Sequence, residues 1–309
     1  MSSHILGRME NNNHHHHNHS NHTKATGTDG GDLSKMNIIH TSHRASSMES
    51  FKVMDVLQRA NQLQAEGYDV FHCEVGQPES GAPKTVTQAA MDALTSPPPK
   101  SILGYTDAFG LVSLRQAIAT HYQQKYHVTI DTNRIVITTG SSGAFLLAFT
   151  AAFDVHDVVA IASCGYPCYR NILGTLGCSL VNIPINSQFK LTAHELLAVI
   201  QQRKTDHLTP IRGLILSSPS NPTGSMLTPQ ELHDLCHVCQ QYNILFISDE
   251  IYHGITYDDK EVATALSFSS HVFVINSFSK YYSSTYFSFQ FFILFLMTHF
   301  IILYYLFVY

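Results

Sequence analysis

The sequence predicts an α/β protein built on an open, mostly parallel sheet with helices on both faces. Short apolar, β-branched runs recur through the middle of the chain with helical patterns between them; these runs are residues 134–138, 158–162, 179–184, 212–216, 244–248 and 272–276. Most of the runs do not alternate apolar with polar residues, which is typical of strands buried on both faces of a parallel sheet. The spacing of the last three runs, about 30 residues, is that of one strand–crossover–strand unit.

One helix between the strands can be predicted in detail. Thr228 is a typical N-cap, Pro229 suits the first helical position, and Glu231 completes a capping box. The apolar positions that follow recur at helical spacing and predict a buried stripe of Leu232, Leu235, Cys236, Cys239 and Tyr242. The alternative is a metal site formed by the two cysteines with His233 and His237. A free cysteine behaves as a small hydrophobe and no second CxxC pair is present, so we expect core cysteines and no metal.

Length, charge and cysteine usage limit the class of protein. The 309 residues are enough for a large core, and length alone indicates roughly two domains. A net charge of -5 and a pI near 6.4 leave no basic face for nucleic acid. The six cysteines have no secreted-framework spacing, and no apolar segment follows a basic one near residue 1. We therefore expect a cytoplasmic, reducing location.

Composition divides the chain into three regions. Residues 1–48 are polar and centre on NNNHHHHNHSNH. Such a segment has too little apolar surface to fold, so we expect a disordered His/Asn-rich arm rather than a metal-binding tract. Residues 49–285 have the composition of a globular domain. Residues 286–309 contain no Asp, Glu, Lys or Arg.

The uncharged run at the end of the sequence has two interpretations. Residues 289–309 are 21 positions without formal charge. At ~1.5 Å per residue, a helix of that length spans a bilayer core of ~30 Å. However, no Lys or Arg lies close beside the run to anchor it. We therefore expect an aberrant apolar tail, and contact with a membrane only if the run is a genuine anchor.

Chemically useful residues follow directly after the predicted strands, where ligands bind in open α/β sheets. The stretch Gly140-Ser141-Ser142-Gly143 follows the first run and opens a helix, so its N–H groups and hydroxyls suit a phosphate. Tyr166 follows the second run. An aromatic ring at that point stacks on a planar ligand or, in the alternative interpretation, packs a surface turn.

Three further side chains follow the last three runs. Asn221 lies in a loop stiffened by two prolines. Asp249 ends the next strand, where a buried carboxylate is costly unless a cation pairs with it. Lys280 follows the last strand, where an ammonium group is equally costly and a neutral amine is nucleophilic. The separations of 28 and 31 positions put one strand–helix unit between neighbours, so we expect all three at one edge of the sheet.

This set of groups matches one cofactor, pyridoxal 5'-phosphate. That cofactor needs a Schiff-base lysine and an acidic partner for its ring nitrogen. The lysine and the buried carboxylate supply these two groups. The small-residue turn, the aromatic ring and the amide supply a phosphate cradle, a stacking surface and a hydrogen-bond donor.

The motifs resemble those of the fold-type I pyridoxal-phosphate enzymes, and specifically the class I/II aminotransferase family. The similar stretches are EVGQPESGAP (74–83), LGYTDAFGLVSLRQAIATHY (103–122), TTGSSGAFLLAF (138–149), YPCYRNIL (166–173), SPSNPTG (218–224), SDEIY (248–252) and SFSK (277–280). The resemblance covers residues 50–285. It implies that 49–285 is a pyridoxal-phosphate-binding large domain, with part of a small domain near 49–80.

The resemblance implies a role for each residue that matches a family motif around the cofactor ring. Lys280 would bind the cofactor as a Schiff base and then carry a proton between substrate and cofactor. Asp249 would keep the ring nitrogen protonated. Asn221 and Tyr252 would hydrogen-bond the ring oxygen, and Tyr166 would stack on the ring.

The resemblance also implies contacts with the cofactor phosphate, the substrate and a second subunit. The phosphate would bind the hydroxyl groups of Ser141, Ser142, Ser277 and Ser279. The substrate carboxylate would approach the backbone at Gly76 and contact Asn221. Tyr105 would reach the phosphate of the neighbouring subunit, which implies a homodimer. The implied activity is transfer of an amino group between an amino acid and a 2-oxo acid.

The chain departs from the family pattern after Thr285. The family continues with GWR, whose arginine binds the phosphate, and Ser288 stands at that position here. We expect the small C-terminal domain, which carries the arginine for the substrate carboxylate, to be missing. Other interpretations therefore stay open. These are a lyase or decarboxylase on the same scaffold, a catalytically inactive truncated remnant, and a membrane-tethered protein that binds pyridoxal phosphate.

Overall fold

The computed structural model of the protein describes residues 42–46, 48, 50–76, 80–97, 104–284 and 289–294, the last range as backbone only. The strands are β1 (Ile135–Thr139), β2 (Val158–Ala162), β3 (Ser179–Ile183), β4 (Ile211–Ser217), β5 (Leu245–Asp249), β6 (Val272–Ser277) and β7 (Phe289–Leu294). The helices are α1 (His43–Ser46), α2 (Lys52–Ala65), α3 (Lys84–Thr95), α4 (Val112–Tyr126), α5 (Gly140–Ala152), α6 (Pro167–Thr175), α7 (Ala193–Thr205) and α8 (Pro229–Gln241).

The seven strands form one sheet in the order β1-β7-β6-β5-β4-β2-β3. Strand β7 runs antiparallel to β1 and β6, and the other neighbouring strands are parallel. All six predicted strands are present, with bounds that differ from the prediction by at most one residue at either end. The predicted fold class, a mostly parallel open sheet, is confirmed.

Two buried clusters lie on opposite faces of the sheet, as the period of a strand requires. In β2, Val158, Ala160 and Ala162 belong to the cluster that contains buried residues of α4, α7 and α8. Val159 and Ile161 belong to the cluster that contains α5 and α6. Both faces of the sheet are therefore covered by helices, which is why the strands read as uninterrupted apolar runs.

The helix α8 begins and packs as its sequence predicts. The Thr228 hydroxyl accepts from the Glu231 N–H at 3.2 Å, and the Glu231 carboxylate accepts from the Thr228 N–H at 2.7 Å. Both Cys236 and Cys239 are core residues, each 2% exposed. The expectation for Tyr242 was wrong, because the helix ends at Gln241 and the tyrosine at its C-cap is 39% exposed.

Part of the run predicted to be an aberrant tail contributes a strand. Residues Phe289–Leu294 form β7, with Val136 opposite Phe292 and Ile275 opposite the same residue on the other side. Aromatic and β-branched residues favour extended backbone, and β7 pairs with two strands that would otherwise present open edges. Over these six residues the structure is therefore a strand and not the helix of a membrane anchor.

Two other expectations fall mostly outside the described residues. Residues 1–41 and 47 of the expected His/Asn-rich arm are not described, and His43–Ser46 forms a single helical turn. Among the described residues, no helix combines the length and apolar character that crossing a membrane requires. The described residues also contain no group of three or more His, Cys, Asp or Glu side chains arranged to bind a metal ion.

Candidate active site

The carboxyl ends of β4, β5 and β6 border one open cleft of about 720 Å³. Its lining includes Gly76, Asn221, Tyr252, Lys260 and Lys280. The strand register explains the meeting of these side chains, because Ser217 of β4 lies opposite Asp249 of β5, and Asp249 lies opposite Ile275 of β6. The structure thus brings the residues that follow three different strands to one edge of the sheet.

Asp249 is a buried carboxylate with neutral hydrogen-bond partners. It is 1% exposed, and it accepts hydrogen bonds from the Tyr169 hydroxyl at Oδ2 and from the Ile251 N–H at Oδ1, the latter at 3.2 Å. Burial raises the pKa of Asp249 from 3.8 to about 6, while the Tyr169 hydrogen bond and the charge of Lys280 act in the lowering direction. Among the described residues it forms no ion pair. A cationic N–H group would therefore be a favourable partner for this carboxylate.

Lys280 lies just beyond β6, with its half-buried side chain lining the cleft. Its Nζ atom is 5.7 Å from the centre of the Tyr252 ring. The charge of Lys280 also contributes to the pKa of Asp249, so the two groups are close enough to interact electrostatically. An amine and a buried carboxylate therefore lie at the same edge of the sheet, as the sequence predicts.

Asn221 is presented by the loop that follows β4. The loop contains cis peptide bonds before Pro219 and Pro222, and it is closed by a hydrogen bond from the Gly224 N–H to the Ser220 carbonyl at 2.8 Å. The Asn221 Nδ2 atom donates to the Tyr252 hydroxyl at 3.2 Å. The amide of one loop and the phenol that follows the next strand therefore form one hydrogen-bonded group.

The ionisation of Tyr252 depends on its neighbours. Burial and the negative charge of Asp249 raise the pKa of Tyr252, and the hydrogen bond from Asn221 acts against this rise. The phenol therefore keeps its proton at neutral pH. It can donate that proton in a further hydrogen bond while it accepts from Asn221.

Tyr166 lies beside the same loop, at the start of α6. It lines a smaller cavity of about 180 Å³ that also contains Asn221. Its ring meets Tyr169 edge-on at 5.6 Å and Phe51 edge-on at 5.8 Å, measured between ring centres. Burial, with the nearby Cys168 thiol, raises the pKa of Tyr166 to about 12, so its ring is a neutral aromatic surface.

The serines predicted to bind phosphate fall into two groups. Ser141 and Ser142 lie in the first turn of α5, and the Ser142 Oγ atom is 3.6 Å from Cys168 Sγ. A helix N-terminus with free N–H groups suits an anion. Ser277 and Ser279 are buried at 5% and 4% exposure, and the Ser277 hydroxyl accepts from the Ser279 N–H at 2.8 Å. Their hydroxyl groups are thus part of the turn that carries Lys280.

Of two further predicted residues, Gly76 lines the cleft and Tyr105 does not. Gly76 lines the cleft, and no atom lies within 4 Å of the position that a side chain would take there. Backbone at Gly76 is therefore open to a ligand. Tyr105 is fully exposed and does not line the cleft. Its implied contact with the phosphate of a neighbouring subunit stays a prediction.

Two residues of the site were not predicted from the sequence. Tyr169 is 3% exposed and donates to Asp249, although the two residues are 80 positions apart. The available signal was the second tyrosine of the YPCY stretch, one helical turn after Tyr166. Lys260 lines the cleft as a second amine, and it lies in an irregular loop without any motif.

The described residues fit pyridoxal 5'-phosphate. A buried carboxylate that forms no ion pair with any described residue suits the protonated ring nitrogen, and Lys280, which interacts with it electrostatically, supplies a primary amine in the cleft. The Asn221 and Tyr252 side chains supply polar hydrogens for the ring oxygen. The α5 N-terminus with its two serines suits the phosphate.

Comparison with known proteins identifies relatives of this chain. The family described as aminotransferase class I and II matches residues 69–286, which is more than half of the 309-residue chain. A valine–pyruvate aminotransferase from Mycobacterium tuberculosis is 45% identical over 238 residues, which cover 76% of this chain and 58% of the relative. A (5-formylfuran-3-yl)methyl phosphate transaminase from Methanocaldococcus jannaschii is 33% identical and is covered to 61%. This chain thus spans about three fifths of the curated relatives that it matches.

Solved structures of aminotransferases also align with this chain. The crystal structure of an aminotransferase from Mycobacterium tuberculosis aligns with a TM-score of 0.76 at 41% identity, covering 83% of this chain and 64% of that one. The aspartate aminotransferase of Rhizobium meliloti aligns with a TM-score of 0.74 at 25% identity, covering 82% and 62%. On the sequence match, the fold and the arrangement of the cleft, this chain belongs to the aminotransferase class I and II family.

Proposed function

We propose that the protein is a pyridoxal-phosphate-dependent aminotransferase that moves an amino group between an amino acid and a 2-oxo acid. The single observation that carries the proposal is the meeting of Lys280, the buried Asp249 and the Asn221–Tyr252 hydrogen bond at one edge of the sheet. Aminotransferases of this class use pyridoxal 5'-phosphate, and the described residues suit that cofactor.

Lys280 is the proposed reactive amine. Pyridoxal phosphate, when bound, supplies an aldehyde that condenses with amines and a ring that withdraws electrons from the bonds of the substrate α-carbon. Lys280 Nζ would hold the cofactor in the cleft. The amine of Lys280 would also remove the proton from the substrate α-carbon as a general base.

Asp249 is the proposed partner of the ring nitrogen. Its pKa of about 6 leaves it ionised at neutral pH, so it accepts a hydrogen bond from a protonated ring nitrogen. A positive partner favours the charged carboxylate and lowers its pKa. Burial excludes the water that would compete for this hydrogen bond. Asp249 would therefore hold a proton on the ring nitrogen.

The remaining predicted residues orient the cofactor and the substrate. Asn221 and Tyr252 donate to the ring oxygen, and Tyr166 packs against the ring. The phosphate binds at the α5 N-terminus and at the turn before Lys280; the residues proposed for it are Ser141, Ser142, Ser277 and Ser279. The substrate carboxylate approaches the open backbone at Gly76 and the amide of Asn221.

The proposal includes a homodimer in which Tyr105 contacts the phosphate of the partner subunit. Helices α2 and α3 contain no buried residue. Large apolar side chains in α3 and in the segment between the two helices are exposed, including Phe71 at 86%, Leu94 at 67% and Met91 at 57%. Tyr105 itself is fully exposed. A second copy that covers this surface would remove much apolar area from water.

The names of the relatives suggest which substrates to test first. A relative at 45% identity is named for valine and pyruvate, and another relative is an aspartate aminotransferase. We propose small amino acids with pyruvate as the first candidates. All six cysteines are free thiols, which supports the proposed cytoplasmic location because the cytosol keeps thiols reduced.

Product analysis of the purified full-length chain tests the proposed activity. The chain is incubated with pyridoxal phosphate, pyruvate and a panel of amino acids that includes valine and aspartate. Alanine and the 2-oxo acid of the donor should form in equal amounts, and Lys280→Ala should form neither. Carbon dioxide or ammonia without alanine would indicate the lyase or decarboxylase alternative. Cofactor binding without any product would indicate the inactive alternative.

A further inference from the structure

Glu250 follows Asp249 directly after β5, and it is 1% exposed. Its Oε1 atom accepts three hydrogen bonds, from Ser248 Oγ at 3.2 Å, Thr264 Oγ1 at 3.0 Å and the Ala265 N–H at 2.9 Å. Among the described residues, Oε2 has no hydrogen-bond partner. One oxygen of this carboxyl group is thus fully satisfied, and the other is buried without a donor.

Nδ1 of His253 lies 3.5 Å from this oxygen, and the Tyr122 hydroxyl also interacts with the Glu250 carboxyl group. The other ring nitrogen, Nε2, lies 3.1 Å from the backbone carbonyl oxygen of Ser218. A carbonyl only accepts hydrogen bonds, so Nε2 carries a hydrogen. The Tyr126 hydroxyl lies 2.8 Å from Nδ1, and a neutral imidazole with hydrogen on Nε2 accepts from it there.

These contacts decide which of three protonation states is favourable. The three are an ionised Glu250 beside a neutral His253, an ion pair of the two, and a neutral Glu250 beside a neutral His253. An ionised Glu250 beside a neutral His253 would bury a charged oxygen against a lone pair, which is costly. An ion pair would bring the two groups to about 2.7–2.9 Å, but the observed separation is 3.5 Å. A proton on Glu250 Oε2 removes the buried charge beside the Nδ1 lone pair, which the Tyr126 hydroxyl keeps as its acceptor.

We propose that Glu250 is retained as a neutral acid beside a neutral His253, and that these two residues position the Asn221 loop. His253 transmits the effect through its hydrogen bond to Ser218, the first residue of that loop. The Ser218 N–H also donates to the Asp249 carbonyl at 3.2 Å. The loop is therefore fastened to the strand end on which Asp249, Glu250 and Tyr252 are arranged.

Electrostatics agrees with this arrangement. Burial raises the pKa of Glu250 from 4.5 to about 7, and the negative charge of Asp249 acts in the same direction. Burial lowers the pKa of His253 to about 3, and the charge of Lys125 adds to this effect. The titratable groups that interact with these two residues from the neighbouring elements are Asp249 on β5, Tyr122, Lys125 and Tyr126 on α4, and Cys236 on α8.

Infrared spectroscopy of the cofactor-free, full-length chain tests the protonation directly. With ¹³C-labelled glutamate at about pH 6, the chain should show the carbonyl band of one protonated glutamate, because exposed glutamates are ionised there. Glu250→Gln should remove this band. Glu231→Gln is the matched control, since the pKa of Glu231 is lowered by its hydrogen bonds to Thr228 and Lys190 against the effect of burial, and it should leave the band. A wild-type spectrum without the band would overturn the proposal.

Cofactor binding tests the positioning role, and this part rests on the proposed function. Glu250→Gln keeps a neutral side chain of the same shape and an acceptor for the three hydrogen bonds of Oε1, so the Kd for pyridoxal phosphate should change by less than about twofold. Glu250→Leu should weaken binding about tenfold, and His253→Leu likewise, since each removes a hydrogen bond. His253→Gln should restore part of the loss if its amide reaches Ser218. Equal affinity in Glu250→Leu and wild type would contradict a positioning role.

A failure of the proposed function can be distinguished from a failure of the proposed protonation of Glu250. If no form of the chain binds pyridoxal phosphate, the proposed function fails, while the glutamate band still reports whether Glu250 is protonated. The unfolding free energy gives a second independent result. A folded-state pKa above the unfolded one means that stability falls as pH rises from about 4.5 to about 7. That fall should be smaller in Glu250→Gln, and an unchanged profile would contradict the protonation.

Discussion

The hydroxyl of Tyr169 donates a hydrogen bond to Oδ2 of Asp249, and both side chains are buried. The tyrosine ring packs edge-on against Phe145 at 4.9 Å between ring centres, so its orientation is fixed by the core under α5 and α6. This hydrogen bond stabilises the charged carboxylate, and it therefore works against the effect of burial on the pKa of Asp249. Tyr169 thus connects the packing of the helices to the ionisation of the candidate active site.

Removing that hydroxyl should raise the pKa of Asp249. In Tyr169→Phe the ring still packs, but the carboxylate loses a donor, so its pKa should rise from about 6 by about one further unit. NMR titration of ¹³C-labelled aspartate in the cofactor-free chain measures this value, and Asp249→Asn assigns the signal. Tyr242→Phe, a change at an exposed tyrosine, is the control. A pKa unchanged or lowered in Tyr169→Phe would contradict the role given to this hydrogen bond.

Asp249 should cost the cofactor-free protein stability at neutral pH. Its folded-state pKa of about 6 lies above the unfolded value of 3.8, so its contribution is present at low pH and is lost as pH rises through 6. Relative to Asp249→Asn, the wild type should lose on the order of 3 kcal/mol between about pH 4 and pH 7. Chemical unfolding at several pH values measures the difference.

A control variant and a measurement of cofactor affinity complete the experiment on Asp249→Asn. Asp259→Asn, at an exposed loop position, should show no comparable trend. Asp249→Asn should also bind pyridoxal phosphate about 10- to 100-fold more weakly, because a charged hydrogen bond to the ring nitrogen is lost. A variant that gains stability but keeps full affinity would remove Asp249 from the proposed mechanism.

Asn221 and Tyr252 should act as one unit. Their side chains are joined by a 3.2 Å hydrogen bond although they lie 31 positions apart. In a double-mutant cycle with Asn221→Ala and Tyr252→Phe, the effects on unfolding free energy should be non-additive by about 1 kcal/mol. Chemical unfolding of the four cofactor-free proteins gives the coupling. Strictly additive effects would show that the hydrogen bond contributes nothing in solution.

The exposed apolar surface around α2 and α3 should mediate dimer formation. Phe71 is 86% exposed there, and Phe71→Ser should shift sedimentation of the full-length chain from dimer towards monomer, with a dimer Kd at least about tenfold weaker. Phe189→Ser is the matched control, because Phe189 is 61% exposed in a loop far along the chain. If both variants sediment like the wild type, Phe71 is not part of an interface. A monomeric wild type would contradict the homodimer itself.

Much of the fold and of the central site could be predicted because both depend on local pattern. Strands buried on two faces read as apolar runs, and a polar residue that directly follows such a run lies at the carboxyl edge of the sheet. That reasoning places Asn221, Asp249 and Lys280 together, and all three lie at that edge in the structure. The capping box of α8 is equally local, and it forms as predicted.

The parts that escaped prediction depend on contacts between distant elements. The hydrogen bond between Tyr169 and Asp249 joins residues 80 positions apart, and that between His253 and Ser218 joins residues 35 apart. Neither spacing follows from a strand or helix period. Strand β7 lies in an uncharged run without turn residues, so nothing in the pattern separates six extended residues from the rest.

Trapping the cofactor on the protein tests the central claim, which is that Lys280 is the amine that binds pyridoxal phosphate. The full-length chain is incubated with the cofactor, reduced with borohydride and digested, and the modified lysine is identified by mass spectrometry. Lys260 lines the same cleft and serves as the internal control. The account predicts one modified site at Lys280, full modification in Lys260→Ala and none in Lys280→Ala. Modification at Lys260 or at scattered lysines, with Lys280 unmodified, would contradict it.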